Sequence, residues 1–299
     1  MKKIKTKISE LLKKHVNQTI LNLFFPKSFK RQTYNKFIKI FDKLSKKNIY
    51  FFLRKDSFME TIFLEKGLYS DWEKESLKLW VSLAKNSSII IDIGANTGIY
   101  SLIAQSNNVC ASIIAIEPID LNFQILRQNI IKNKFKIQTE EVALSNNEGY
   151  ATMYMLKDRL NYMTSVNDDR YEKHPEIQGN IEVIPVQVLI KKFNYIVEKY
   201  KLSIVNLIKI DVEGHELAVL QSMEETLKNY HPTILVEVIG DENAIKLDIF
   251  FKEMGYEIYL SIDENKGIKV VDKIWDNNHA NFLICQKSIL ETIPRDHFY

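Results

Sequence analysis

Asp211, Glu213, His215 and Glu216 fall within six residues of one another in IKIDVEGHE, where an apolar run gives way to a helix-like stretch. Alternate side chains on a strand share a side, so Asp211 and Glu213 point the same way. Gly214 then lets the chain turn. Acids beside a histidine suit proton removal from a hydroxyl, with Asp211 or His215 as the base. They also suit a divalent cation. Asp211, Glu213 and Glu237 offer an oxygen-rich set appropriate to Mg or Mn rather than zinc. Glu213 and Glu216 could instead serve the helix N-terminus, where carboxylates favour the dipole, and Glu216 fits that role best.

A second constellation lies in IIIDIGANTGIYSL, residues 89–102. A β-branched run ends in Asp92, then Gly94, Ala95, Asn96 and Gly98 form a turn before a helix-like pattern. Gly94 and Gly98 permit positive φ and keep side chains away from a ligand. Glu117 closes the next strand run, 19 residues after Gly98, where an acid can accept both hydroxyls of an adenosine ribose. Both NAD-binding and S-adenosylmethionine-binding domains use such a pair. The dinucleotide fingerprint G-x-G-x-x-G has Asn96 in place of its second glycine. A carboxylate at Asp92 repels a pyrophosphate and favours a ligand carrying an ammonium and a sulfonium. The residues therefore favour S-adenosylmethionine, with capping of the following turn as the alternative role for Asp92.

IDIGANTGIYSL, AIEPIDLNFQILRQNIIKN, VALSNNEGYATMY, LIKIDVEGHELAVLQSM and HPTILVEV, in that order from about 89 to 238, resemble the FkbM-type methyltransferase family. The resemblance implies a Rossmann-like S-adenosylmethionine-dependent methyltransferase, usually an O-methyltransferase on sugars or polyketide-type hydroxyls. It places Asp92, Gly94, Asn96 and Gly98 on the methionine and ribose side and Glu117 on the ribose hydroxyls. Ala143 and Leu144 would border the adenine. The chain departs from the family at QVLIKKF, where Ile190 replaces a usual acid, and residues 1–88 and 263–299 resemble it weakly.

The elements that must position these residues follow a strand-helix rhythm. Strand-like runs occupy 89–93, 112–117, 137–144, 205–212, 233–238, 257–262 and 281–286, with helix-like stretches at 99–107, 119–133, 189–200, 214–229 and 242–254. This predicts an α/β, doubly wound, mostly parallel seven-stranded sheet, with its last two strands as an antiparallel pair at one edge. Residues 150–187 interrupt the rhythm as two strands around a polar segment, a lid or a surface hairpin. Residues 1–70 read as a basic, largely helical extension of a methyltransferase domain at 71–299. Apolar residues three or four apart from Ile4 to Phe24 make an amphipathic helix that docks on its own domain or lies on an anionic membrane.

The 299 residues are 45% hydrophobic with a net charge of +3, which conceals a balance of +12 over residues 1–50. A basic head suggests an anionic partner, or only solvated lysine. It contains no RNA-binding motif, and the D/N-P-P-Y/F motif of nucleobase methyltransferases is missing at Asp211, so no nucleic-acid partner is expected. Cys110 and Cys285 stand far apart, which fits a reducing cytoplasm. No run of about 18 apolar residues predicts a membrane span. The expected partner is a small-molecule or glycan acceptor. A binding protein of the same fold without catalysis, and an NAD-dependent oxidoreductase, are the competing readings.

Overall fold

Ile90, Ile91, Asp92 and Ile93 are all buried, as are Ile113 to Ile116 and Leu207 to Ile210, so these strands have both faces covered. Near-continuous apolar runs of this kind belong to a parallel sheet sandwiched by helices. The computed structural model describes residues 35–54, 57–156, 183–275 and 280–299. Their strands are β1 (Lys36–Asp42), β2 (Lys47–Leu53), β3 (Ile89–Ile93), β4 (Ser112–Ile116), β5 (Ile137–Glu140), β6 (Ala143–Leu144), β7 (Gly149–Leu156), β8 (Val183–Lys191), β9 (Leu207–Ile210), β10 (Thr233–Val238), β11 (Ile258–Asp263), β12 (Gly267–Val271) and β13 (Ala280–Cys285). The helices are α1 (Phe58–Lys66), α2 (Lys74–Ala84), α3 (Ile99–Asn107), α4 (Asp120–Asn133), α5 (Phe193–Tyr200), α6 (Glu216–Gln221), α7 (Glu224–Tyr230), α8 (Asp241–Glu253) and the short α9 (Lys287–Leu290).

The main sheet has the order β12-β11-β13-β10-β9-β3-β4-β5. From β10 to β5 every pairing is parallel, and β13 runs antiparallel to both β10 and β11. The chain leaves β3 in one direction and later returns to its other side with β9. The topological switch point therefore lies between β3 and β9, where α/β proteins bind ligands at the strands' carboxyl ends. One face buries Ile91, Ile93, Ile208 and Ile210 against Phe193, Val219, Leu220 and Leu247. Helices α2 and α3 pack together, and Leu77, Trp80 and Leu102 are fully buried there.

Among the described residues the sheet has eight strands, not seven. The added strand, GIKVV, extends the edge by a hairpin from β11; its exposed Lys269 and Val270 hide the alternation that marks a half-buried strand. The last expected pair exists, but β13 inserts between β10 and β11 instead of lying at the edge. The run expected as one strand at 137–144 divides, because Ala143 and Leu144 leave the main sheet to pair with Ile190 and Lys191 of β8. The helix expected at 214–229 is broken. Ser222 Oγ donates to Val219 O (2.6 Å) and accepts Phe193 N (3.3 Å), a local bond that competes with the helical ladder.

The boundary expected at residue 70 does not separate helix from domain. Buried residues alternate along KFIKIFD and KNIYFFL, and the two pair as a hairpin. It is held to α4 by Tyr50 N donating to Asn133 Oδ1 (2.8 Å) and Phe52 N donating to Asn129 Oδ1 (2.7 Å). The helix expected at Ile4–Phe24 lies outside the described residues. Strands β7 and β8 of the expected insertion pair antiparallel, Gly149 with Ile190 through Leu156 with Val183, and the polar segment between them also lies outside the described residues. Among the described residues no helix is long and apolar enough to cross a membrane.

Candidate active site

The loop after β3 is set by two backbone bonds, Gly94 N and Ala95 N both donating to Ile116 O at 2.9 Å. Gly94 (φ 78°), Asn96 (φ 51°) and Gly98 (φ 91°) all take left-handed backbone. The two glycines answer first to the protein's own packing. A Cβ on Gly94 would stand 1.8 Å from Asp211 O, and one on Gly98 would stand 2.4 Å from Leu126 Cδ1. The glycine turn is thus seated on the loop that follows β9, and the two motifs of the sequence meet through Gly94 and Asp211.

An open cleft lies over these loops, its empty space with the adjoining solvent about 750 Å³. Of the expected cofactor residues, Gly94, Asn96, Glu117, Ala143 and Leu144 line it. Asp211, Glu213 and His215 form another part of the same wall, so the two constellations share one cavity. Asp92, Ala95 and Gly98 do not line it. Asp92, expected to face a cationic ligand, is 1% exposed and accepts Ser101 N (3.0 Å) and Ser101 Oγ (2.6 Å). It caps the first turn of α3, and burial raises its pKa against the opposing pull of Lys209.

Glu117 is 4% exposed, and its carboxylate accepts Asn96 N and Ile119 N, each at 2.9 Å. Burial pushes its pKa up to about 7, while those two amides pull the other way. Asn96 Oδ1 and Asn122 Oδ1 are buried acceptors with no hydrogen-bond partner among the described residues, and both side chains belong to the cleft lining. Ile116, Val142, Leu144 and Met153 supply an apolar wall beside them. Acceptors for ribose hydroxyls, an apolar slot for a flat base, and carboxylates beyond them fit the groups of S-adenosylmethionine.

Just beyond β9 and near the end of the adjacent β10, single carboxylate oxygens of Asp211, Glu213 and Glu237 lie within 4.8 Å of one another. The expected trio is therefore assembled, with Glu213 in left-handed backbone (φ 55°). Burial would raise Asp211, but the charge of Lys209 together with hydrogen bonds from Glu237 and Lys209 holds the carboxyl below its ordinary value. Glu237 is pushed well up by burial and by the charge of Asp211. His215 lies beside Ser145 Oγ at 2.9 Å through Nε2, and burial lowers its pKa, so the ring is neutral at pH 7. Glu216 faces away: its carboxylate accepts Gly214 N (2.7 Å) and Asn243 Nδ2 (2.8 Å), fastening the turn.

Four residues of this site escaped the motifs. Lys209, 3% exposed, places Nζ 2.6 Å from Asp211 Oδ2. A lysine inside the buried run LIKI was its visible signal. Glu73 accepts the Tyr100 hydroxyl and reaches the cluster from the residue before α2, with no local signal at all. Ser145 and Asn122 are ordinary polar residues until the fold brings them to the cleft.

Residues 92–258 match the Methyltransferase FkbM domain family, more than half of the chain. "Methyltransferase 1" of Beauveria bassiana (strain ARSEF 2860) is 28% identical over 167 residues, covering 51% of this chain and 65% of that protein. "Hexuronic acid methyltransferase AglP" of Haloferax volcanii is 24% identical over 166 residues, covering 56% and 62%. "31-O-demethyl-FK506 methyltransferase FkbM" of Streptomyces tacrolimicus is 21% identical over 185 residues, covering 56% and 70%. The match thus spans just under two thirds of the Beauveria and Haloferax proteins. The family segment begins at Asp92 and contains the glycine turn, Glu117 and the Asp211–His215 turn, and by that match the chain belongs to the FkbM methyltransferase family.

Proposed function

We propose that the protein is an S-adenosylmethionine-dependent O-methyltransferase that acts on a hydroxyl of a sugar, glycan or glycolipid. The observation that carries this reading is a single cleft in which Glu117 is joined by Asp211, Glu213 and His215. Relatives named for a hexuronic acid and for 31-O-demethyl-FK506 support oxygen as the acceptor atom and a sugar-like acceptor. S-adenosylmethionine supplies an electrophilic methyl group on its sulfonium. The residues then have two tasks, to hold donor and acceptor in line and to take the hydroxyl proton.

Glu117 accepts the ribose hydroxyls, with Asn96 and Asn122 beside it. His215 is the better base of the two considered. Burial lowers its pKa, but from an ordinary value well above that of a carboxylate, whereas Asp211 is held below its own lower value. In the tautomer protonated at Nε2 the ring donates to Ser145 Oγ, which leaves Nδ1 to receive the proton. Asp211 and Glu213 accept hydrogen bonds from the acceptor and orient it. Calorimetry with S-adenosylmethionine and NAD side by side tests the donor; tight NAD binding with none for S-adenosylmethionine overturns the reading. Transfer of labelled methyl groups into a panel of glycans and lipids tests the acceptor, and label appearing only in protein or nucleic acid would refute the acceptor class.

Glu117→Gln is expected to weaken S-adenosylmethionine binding about 10- to 100-fold, since an amide offers a donor where two hydroxyls need acceptors. Unchanged affinity in the same calorimetric titration would remove Glu117 from the ribose site. The variant should also change the pH dependence of stability. A carboxyl near 4.5 when unfolded and about 7 when folded takes up a proton on folding between those values. Its stabilising contribution is present at low pH and is lost as pH rises through 7. Thermal melts of the ligand-free protein should therefore fall less steeply from pH 5 to 8 in Glu117→Gln than in the wild type.

A further inference from the structure

Lys209 is a charged residue in the middle of a strand whose other three residues, Leu207, Ile208 and Ile210, are all buried apolar groups. It sits directly opposite Asp92 in the parallel register of β3 and β9. Its Nζ lies 2.6 Å from Asp211 Oδ2 and 4.4 Å from the centre of the Tyr100 ring, and the Tyr100 hydroxyl in turn donates to Glu73. Asp211 pairs directly with the ammonium group, and the charges of Glu73 and Asp92 also act on it. Leaving a lysine in such a place is costly unless its charge is matched, and removing it would strand three carboxylates.

We propose that Lys209 is the resident cation of the carboxylate cluster, a positioning residue whose ammonium holds Asp211, and through Asp211 the neighbouring Glu213 and Glu237, where a divalent metal would otherwise serve. The proposal rests on the reading of Asp211 as part of the acceptor wall. The geometry supports it in three ways. Lys209 already holds one oxygen of Asp211, so the trio cannot present all its oxygens to an incoming ion without breaking that pair. The ammonium is carried on a strand at the centre of the sheet, so its position is fixed by the register. The ring of Tyr100 lies against the ammonium as well, and a cation over an aromatic face is favourable.

Thermal melting of the full chain with and without millimolar MnCl2, and calorimetric titration with MnCl2, test this. Wild type should bind no Mn2+ at the cluster and show no shift in Tm. Lys209→Met should lose roughly 5–15 °C, part of which MnCl2 should restore as the metal enters the vacated charge site. Lys209→Met combined with Asp211→Asn should melt higher than Lys209→Met and ignore Mn2+. Stabilisation of the wild type by Mn2+ that Asp211→Asn abolishes would overturn the proposal, and that arm needs no Lys209 variant to fold. So would a Lys209→Met protein that melts like wild type, or one whose loss MnCl2 leaves untouched, since Lys209 would then supply packing and not charge. S-adenosylmethionine binding by the wild type is measured separately, so failure of the donor reading is seen independently of the metal response.

Discussion

Gly94→Ala is expected to lower stability by roughly 2–5 kcal/mol and the melting temperature by roughly 5–15 °C. At φ 78° an alanine is strained in any surroundings, and here its Cβ would stand 1.8 Å from Asp211 O and 2.9 Å from Asp211 C. Neither chain can retreat cheaply. Gly94 N is bonded to Ile116 O, and Asp211 N is bonded to Ile93 O at 3.0 Å. Because the clash is with the backbone of Asp211, the remaining folded protein should also show weakened donor binding and a displaced Asp211. A thermal melt with a loss below about 1 kcal/mol, the size of an ordinary surface change, would show that the two loops separate easily. Gly98→Ala meets a flexible leucine end in place of backbone and should be the milder of the two.

His215→Gln is expected to reduce methyl transfer about 100- to 10,000-fold at saturating donor, the usual contribution of a positioned base, while S-adenosylmethionine affinity changes only a few-fold. The pH profile separates this from a structural defect. Burial lowers the His215 pKa, so the wild-type rate should rise on an acidic limb below the ordinary histidine value and be level around pH 7. The glutamine variant should lack that limb. The measurement is initial rates with labelled donor and whichever acceptor takes the label. A variant that transfers at the wild-type rate, with its acidic limb intact, would move the base to Asp211 or elsewhere in the cleft.

Much of the architecture was legible from the residues because its causes are local. The runs IIIDI and TILVEV are apolar at every position or nearly so, as strands covered on both faces must be, and both form strands with the expected bounds. The helix-like stretch at 99–107 is likewise a helix over Ile99–Asn107. GIKVV and the hairpin Lys36–Leu53 carry no such local signal. Each lies apart from the strand-helix rhythm, and KNIYFFL is apolar at too many positions to display its alternation.

The site divides in the same way. Glu117, Asn96, Asp211, Glu213 and His215 could be placed at strand ends from motif spacing, since the carboxyl end of a parallel strand in this fold is where ligands bind. Their partners could not. The glycine turn beside Asp92 in the chain points it at a ligand, but Ser101, nine residues on, turns its carboxylate inward. A glycine turn at a strand end implies clearance for a ligand, yet the atom that crowds Gly94 belongs to Asp211, more than a hundred residues away. Lys209 gained its three acidic neighbours only when β9 lay beside β3 and α2 brought Glu73 over Tyr100. Residue types and spacing determined which groups stand at the sheet's carboxyl edge, because periodicity and turn chemistry act over a few residues. The tertiary structure alone decided which of them face the cleft and which are neutralised, because burial and charge pairing depend on residues that are distant in the chain.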